Sequence, residues 1–491
     1  MNLSRVVAHW ADQAPDRNAI HFQGVDLSYA ELWARIARAT AGLAALGIAR
    51  GDRVAILAYN CPEILVLLLA LARLGAMMVP LNWRLTAAEH RLILADCTPK
   101  LLLAEDDWRA HALQLGVPVK PLAQLEARAQ SAAAAPVLGS DADDALIVYT
   151  SGTTGKPKGA VLTQAGLIWN AYNAIAAHDM RQQDHALNAL PMFHVGGLNI
   201  QGLPVLLAGA RVTLHRRFDA GHWLADVAAR RPTLSVLVPA MMAAIIGHPD
   251  RQRSDLSPLR MIHAGSMIVP DSLIQAFHAR GVPVGQIYGS TETAPFATVL
   301  LREDAQTKLG SAGKPALHCE IRLVADPELA GEAAEGVGEV WVRGPNVMRG
   351  YWNAPEATKA ALVDGWYRTG DLARRDADGF YWIVGRSKDV IISGGENIYP
   401  AELENVLADC SDIAEAAVIG LADRKWGEAA CACIVRAPGA KLDETAVLAL
   451  FRDRLARYKH PRRVLFMNSL PKTAMGKVQK FELRKAVEAG S

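Results

Sequence analysis

Disulfide frameworks and zinc sites are what this sequence most plainly lacks the means to build. Its six cysteines, at positions 61, 97, 319, 410, 431 and 433, form no CxxC pair and no Cys/His cluster, a pattern that suggests neither and suits a reducing cytoplasm. An excess of one charge is missing too. With 52 basic against 50 acidic residues the net charge is +2, too weak a field to draw in nucleic acid, so any anion must be gripped locally. No apolar run is long enough to span a bilayer. The most apolar, Ile64–Ala72, ends at Arg73, far short of the roughly 20 residues a span needs, and reads as a buried helix. The N-terminus carries Arg5, His9, Asp12 and Asp16 in place of the long apolar core of a secretory signal. Internal repeats and low-complexity tracts are also absent.

What is present is a globular composition, 51% hydrophobic and 21% charged over 491 residues, too long for one ordinary core and expected to form two or more domains. Helix signals alternate with strand-like runs, as in an α/β protein. Ser28-x-x-Glu31 and Thr86-x-x-Glu89 are capping boxes, and Pro400 suits the first turn of a helix over Ala401–Leu407. Arg53–Leu57, Leu146–Tyr149 and Ser235–Val238 read as buried strands. Residues 130–144 have a connector's composition. Residues 372–384 read as a β-hairpin turning at Asp378-Gly379. Gly385-Arg386-Ser387-Lys388-Asp389 follows at once and marks a domain boundary. The alternating runs Ala416–Ile419 and Cys431–Val435, with two helical patterns, suffice for a small α+β domain beyond it.

The most distinctive stretch is Thr150-Ser151-Gly152-Thr153-Thr154-Gly155-Lys156-Pro157-Lys158-Gly159, directly after the apolar run Ala145–Tyr149. Glycines let backbone approach an anion closely, successive N–H groups form a nest, hydroxyls add donors and lysines add charge. A Walker loop needs four residues between its glycines and a Ser or Thr after its lysine. Here two residues separate Gly152 from Gly155, and Pro157 follows Lys156. The P-loop NTPase reading therefore fails, and the stretch alone reads equally well as a surface turn.

Five more segments share its character: Pro191-Met192-Phe193-His194, Tyr288-Gly289-Ser290-Thr291-Glu292-Thr293, Tyr367-Arg368-Thr369-Gly370-Asp371, Gly385–Asp389 and Pro471-Lys472-Thr473-Ala474-Met475-Gly476-Lys477. Together, in this order, the six resemble the AMP-forming adenylating superfamily of acyl-CoA synthetases, peptide-synthetase adenylation domains and luciferases, over nearly the whole chain. The resemblance implies a large N-terminal domain of several α/β subdomains with mixed sheets, residues 1–385, a hinge at 386–388, and a small mobile α+β domain, 389–491. It also implies an ATP-dependent enzyme: a carboxylate attacks the α-phosphate of ATP to give an acyl-adenylate and pyrophosphate, and a thiol then displaces AMP. Coenzyme A, ATP and Mg²⁺ are the implied co-substrates and metal, with no nucleic-acid partner, no membrane span, a cytoplasmic location, and a homodimer left open as the assembly.

By the same resemblance, Ser151, Thr153, Thr154 and Lys158 hold the β and γ phosphates in a cradle that Thr150, Gly152 and Gly155 complete. Thr291 contacts the α-phosphate and Glu292 positions Mg²⁺. Tyr288, leading into Gly289, stacks on adenine, with Gly265, Ser266, Gln286 and Ile287 around the base. Asp371 takes the ribose hydroxyls, assisted by Arg386. Lys477 bridges the acyl carboxylate and the α-phosphate, and His194 stands beside the acyl pocket. Lys388 is the hinge residue. Gly394, Gly395 and Trp426 line the pantetheine tunnel, and Arg462 attracts the CoA phosphates, with His460 where some relatives carry Arg.

The acid is constrained by what is missing. His194-Val195-Gly196-Gly197 lacks the Asp by which peptide-synthetase domains bind an amino-acid ammonium, and the resemblance implies an acyl pocket lined near His194–Asn199, His263–Met267 and Thr293–Phe296, where no obvious Arg or Lys stands to pair a second carboxylate. A medium-chain fatty acid or an aromatic acid is expected, and the overall pattern is similar to bacterial fatty-acid and aryl-CoA ligases. A stand-alone enzyme loading a carrier protein, and a non-catalytic nucleotide-binding regulator, are the alternatives.

Overall fold

Both capping boxes form. At the head of the helix Tyr29–Ala45, Ser28 accepts from the Glu31 N–H while Glu31 accepts from the Ser28 N–H, and Thr86 with Glu89 does the same for Ala87–Cys97. Each such cap stabilises its helix by about 1 kcal/mol. The apolar run lies in the helix Pro62–Leu74, where all residues but Glu63 are buried. Even Arg73 is covered, its guanidinium over the Trp33 ring at 4.6 Å. The computed structural model describes residues 2–126, 137–150, 157–326, 331–332, 336–393, 396–452, 454–473 and 476–489.

Among the described residues the strands form four sheets. The largest has a parallel centre, in spatial order Val284–Tyr288, Met261–Gly265, Leu234–Leu237, His185–Asn188, Arg211–Leu214 and Asn18–Phe22. A second sheet has a parallel core containing Leu101–Ala104, Arg53–Leu57, Met77–Pro80 and Asp144–Thr150, to which Lys158–Thr163 and Gly350–Tyr351 are added antiparallel. The helix Pro62–Leu74 belongs to a core shared by residues of both sheets. The third sheet is antiparallel and includes the expected hairpin, Trp366–Arg375 paired with Tyr381–Arg386.

After Asp389 the chain builds its own sheet from Ile391–Ser393, Glu396–Ile398, Ile413–Asp423, Gly427–Arg436 and Arg463–Phe466. Alternation along its two long strands gives it two buried faces, because successive side chains point to opposite sides. Val418, Ala432 and Ile434 pack with Leu403, Leu407 and Phe451, while Ala417, Ile419, Cys431 and Cys433 pack with Leu483 and Val487 of the helix Lys480–Ala489. The architecture is thus a large mixed α/β domain followed by a small α+β one. The carboxyl ends of the parallel strands carry Gly265-Ser266, Tyr288-Gly289 and the approach to His194, which is where open α/β sheets place ligands.

Candidate functional site

The strand before the Thr150–Gly159 stretch runs to Thr150 and the strand after it begins at Lys158, the two paired antiparallel with Thr150 opposite Lys158. The stretch therefore closes a hairpin instead of opening a helix, which accounts for its departure from the Walker pattern. Ser151, Gly152, Thr153, Thr154 and Gly155 lie outside the described residues. At the stem, the Lys158 ammonium sits 5.3 Å from the centroid of the Tyr351 ring, and the Tyr149 hydroxyl donates to Asp96.

Tyr351 connects this lysine to the acidic residue of the second segment, since its hydroxyl donates to Glu292 Oε1 at 2.7 Å. Thr291 and Glu292 are both buried, on a single turn capped by Ser290, whose N–H bonds Thr293 Oγ1 at 3.0 Å. Gly289 permits the turn, because a Cβ there would collide with the Pro295 carbonyl. Burial, and then the charge of Glu292, keep the phenols of Tyr351 and Tyr367 protonated.

A second charged group adjoins the first. Asp371 is buried, accepts from the Tyr288 hydroxyl at 2.9 Å and pairs with Arg386 Nε at 2.8 Å. Its direction is set locally: Gly370 takes a left-handed φ of 69°, its N–H bonds Glu339 at 3.1 Å, and the Asp371 N–H bonds Thr369 Oγ1 at 3.0 Å. Tyr367 feels the charges of both Glu292 and Asp371, so the two carboxylates lie near one another around its ring. Lys477, more than a hundred residues along the chain from Asp371, lies within electrostatic reach of Asp371 and Arg386. Although its side chain keeps contact with solvent, partial burial is the chief influence lowering its pKa. Arg386 and Lys388 lower it further, against Asp371 and Asp389. Ser266 and Lys388 are exposed, Gly265, Ile287 and Gln286 are covered to differing degrees, and Gln286 Nε2 has no partner among the described residues.

His194 is half-buried, and its Nδ1 accepts from the Gly196 N–H at 3.1 Å. The proton therefore sits on Nε2, and burial lowers its pKa to about 4, so the ring is neutral. The loop before it is held by buried Asn60, which donates to the Leu190 carbonyl and accepts from the Met192 N–H at 2.8 and 2.7 Å. Met192 and Phe193 pack, Phe193 edge-on to Trp83. Beyond His194, Gly197–Gly202 is a widened helical turn, tied by Asn188 to the Gly197 carbonyl and by Asn170 to the Asn199 carbonyl.

On the small domain, Trp426 and Arg462 meet, with the guanidinium 4.5 Å from the indole ring. His460 does not share this contact: its Nε2 bonds the Leu455 carbonyl at 2.9 Å and its ring lies near Phe451. Gly394 and Gly395 lie outside the described residues. Sequence reasoning missed Tyr351, Asn60 and Glu339. The run Arg349-Gly350-Tyr351-Trp352-Asn353 offered a signal for the first, being aromatic, polar and wedged between elements; nothing in the sequence marks a buried Asn or Glu as a clamp.

Among the described residues no group of three or more His, Cys, Asp or Glu side chains could hold a metal alone. A hard cation that keeps phosphate and water ligands fits instead, because Mg²⁺ is usually held by one or two carboxylates beside a phosphate, and Glu292 has one oxygen not taken by Tyr351. No helix among the described residues is long and apolar enough to cross a membrane.

The sequence matches the AMP-binding enzyme family over residues 7–352 and the C-terminal domain of AMP-binding enzymes over 402–477. It is 48% identical to an indoleacetate–CoA ligase of Aromatoleum aromaticum, over 99% of this chain and 98% of that protein. It is 43% identical to a feruloyl-CoA synthase of an Amycolatopsis species, over 97% of each. The o-succinylbenzoate CoA synthetase of Bacillus subtilis superposes in its acyl-adenylate complex with a TM-score of 0.90 at 33% identity, covering 98% of this chain and 97% of that one. Its complex with ATP and a magnesium ion superposes with a TM-score of 0.88 at 32% identity, covering 97% and 98%.

Proposed function

The chain belongs to the family of AMP-binding enzymes, and we propose that within it this protein is an ATP- and magnesium-dependent ligase joining an aromatic carboxylic acid to coenzyme A. The observation that supports this reading is the Tyr288–Asp371–Arg386 cluster, with Lys477, from the distant small domain, within its electrostatic reach. The aromatic acid is supported by the two relatives that act on indoleacetate and a feruloyl group.

In this reading the first step is mostly positioning and charge stabilisation, since the acid arrives ionised at neutral pH and needs no general base. Tyr288 covers adenine beside Gly265, Ser266, Gln286 and Ile287, and Asp371, squared by Arg386, takes the ribose hydroxyls. Lys158 and the 150–155 loop grip the β and γ phosphates, and Thr291 donates to the α-phosphate. Glu292 offers its free oxygen to Mg²⁺, whose charge offsets that of the phosphate oxygens. Lys477 stands where the carboxylate and the α-phosphate meet, so it stabilises the charge that concentrates as the new bond forms. Pyrophosphate leaves. Neutral His194 accompanies the acyl group without acting as a base.

The second step needs a different neighbour for the adenylate. A turn at Lys388, in a hinge over 386–388 between domains of 1–385 and 389–491, withdraws Lys477 and brings in Gly394, Gly395 and Trp426 along the pantetheine path, with Arg462 on the nucleotide phosphates. The thiol sulfur then attacks the acyl carbonyl and AMP departs. All six cysteines are free, which supports a reducing, cytoplasmic setting.

The test is acid-dependent pyrophosphate release across aromatic and medium-chain fatty acids, with and without CoA. The expected result is turnover with aromatic acids and CoA-dependent AMP release without a carrier protein. No turnover with any acid overturns the ligase, and a preference for fatty acids overturns the aromatic substrate.

A further inference from the structure

Buried polar atoms in a protein core are nearly always hydrogen-bonded, because leaving one unpaired costs about 1–3 kcal/mol. The wall behind Gly265 departs from this rule. His263 lies two residues before Gly265 on the strand Met261–Gly265, hence on the same face and about 6.6 Å deeper along it. It is fully buried, and neither ring nitrogen has a partner among the described residues.

His178, the last residue of the helix Gln164–His178, packs edge-on against it with ring centroids 4.2 Å apart. His178 Nδ1 is 2.7 Å from the Ala174 carbonyl. A carbonyl only accepts, so Nδ1 carries the proton and Nε2 is a bare acceptor, also unpartnered among the described residues. His263, in either tautomer, adds a second acceptor nitrogen and one N–H donor, so the pair offers two acceptors against one donor. Apolar neighbours flank the pair: Val236 is His263's neighbour across the sheet, and Phe296 faces His178 at 6.4 Å.

Charge does not explain the pair. Burial pushes His178 down to about 4, and burial with His178 and Arg260 holds His263 well below the usual imidazole range. Arg260, the nearby cation, is bound to Asp184 at 2.8 Å and to the Asp179 carbonyl at 2.7 Å. Two neutral rings with unused acceptor nitrogens, deeper along the adenylate face, suit a ligand that donates a hydrogen bond from its far end.

We propose that His263, backed by His178, is the residue that reads the distal end of the acid, accepting a hydrogen bond from a ring N–H or O–H and so selecting indole-type or phenolic acids over carbocyclic ones. This rests on the aryl acid–CoA ligase reading above.

The experiment compares near-isosteric acids by kcat/KM for pyrophosphate release: indole-3-acetate against 1-naphthaleneacetate, and 4-hydroxycinnamate against 4-methylcinnamate. Wild-type enzyme should favour the donor-bearing member of each pair by at least about tenfold, as a site built to hydrogen-bond rejects analogues that leave its polar groups unpaired. In His263→Leu that ratio should fall to about one, and in His263→Gln, whose amide can still accept, it should fall only partway. The ratio cancels any general loss of activity, and the wild-type comparison stands even if a variant does not fold. Equal turnover of the paired acids by the wild type, or an undiminished preference in His263→Leu, overturns this inference alone. No turnover of any acid overturns it together with the ligase reading.

Discussion

Glu292 and Asp371, on the large domain, are both buried, and each is fastened by a tyrosine hydroxyl, Tyr351 at 2.7 Å and Tyr288 at 2.9 Å. Lys477 and Arg462, on the small domain, are both exposed. Lys477 is held mainly by its backbone, whose N–H bonds Thr473 Oγ1 at 3.2 Å, and Arg462 by an indole face. The fastened half has its geometry built in before any ligand arrives, the kind of preorganisation that stabilises a transition state without reorganisation at the moment of reaction. In the proposed cycle the exposed half supplies point charges on a body that is brought in and withdrawn. A side chain needed in only one of two half-reactions cannot be locked into the cleft by a buried network, since that network would have to be broken in every cycle.

The largest effect that tests this contrast comes from Lys477→Ala. Adenylate formation should fall by about two to three orders of magnitude, as expected for loss of a group aimed at developing charge. Thioester formation from a supplied acyl-adenylate should be largely spared, because the reading has Lys477 withdrawn by then. Measuring the two half-reactions separately checks it. An equal loss in both would mean that the exposed half is as fixed as the buried one, and the contrast would collapse.

Next comes Tyr351→Phe, which unfastens Glu292 without moving a charge. A hydrogen bond to a charged group is worth about 1.5–3 kcal/mol, so the apparent requirement for Mg²⁺ should rise about tenfold or more. Direct Mg²⁺ titration of the ATP complex provides a readout separate from turnover. The KM for the acid should hold steady. A change confined to thermal stability would make Tyr351 a packing residue only.

The two halves also differ in how legible they were. Motifs gave Glu292, Asp371 and Lys477 because each sits in a short run whose composition fits no regular element, and the hairpin, the capping boxes and the buried helix followed from local rules that the structure obeys. The fastenings were not legible. Tyr351 and Glu292 are 59 positions apart, and their meeting depends on the strand Gly350–Tyr351 adding to Lys158–Thr163, a pairing between distant segments that no periodicity announces. Asn60 reaches the His194 loop across more than a hundred positions. The histidine pair is likewise a product of topology, formed where the end of one helix meets a strand of the large sheet. Sequence placed His263 near the acyl group but had no means of placing His178 against it.

The smallest expected effect belongs to Arg462→Ala and bears on the exposed half alone. The guanidinium is solvent-exposed and packed on Trp426, so its attraction for a phosphate is screened, and exposed charge pairs contribute only about 0.2–1 kcal/mol. The KM for CoA should therefore rise by no more than about fivefold, with the acid- and ATP-dependent burst of pyrophosphate unchanged. Added salt should shrink the difference between variant and wild type, since the Debye length falls to about 3 Å at 1 M ionic strength. Trp426→Ala separates charge from packing: it leaves the guanidinium charged but unsupported, so its effect on the KM for CoA should persist in high salt. If Arg462→Ala instead raised the KM for ATP, Arg462 would belong to the adenylation half of the cycle, and the division of labour between the two surfaces of the small domain would have to be redrawn.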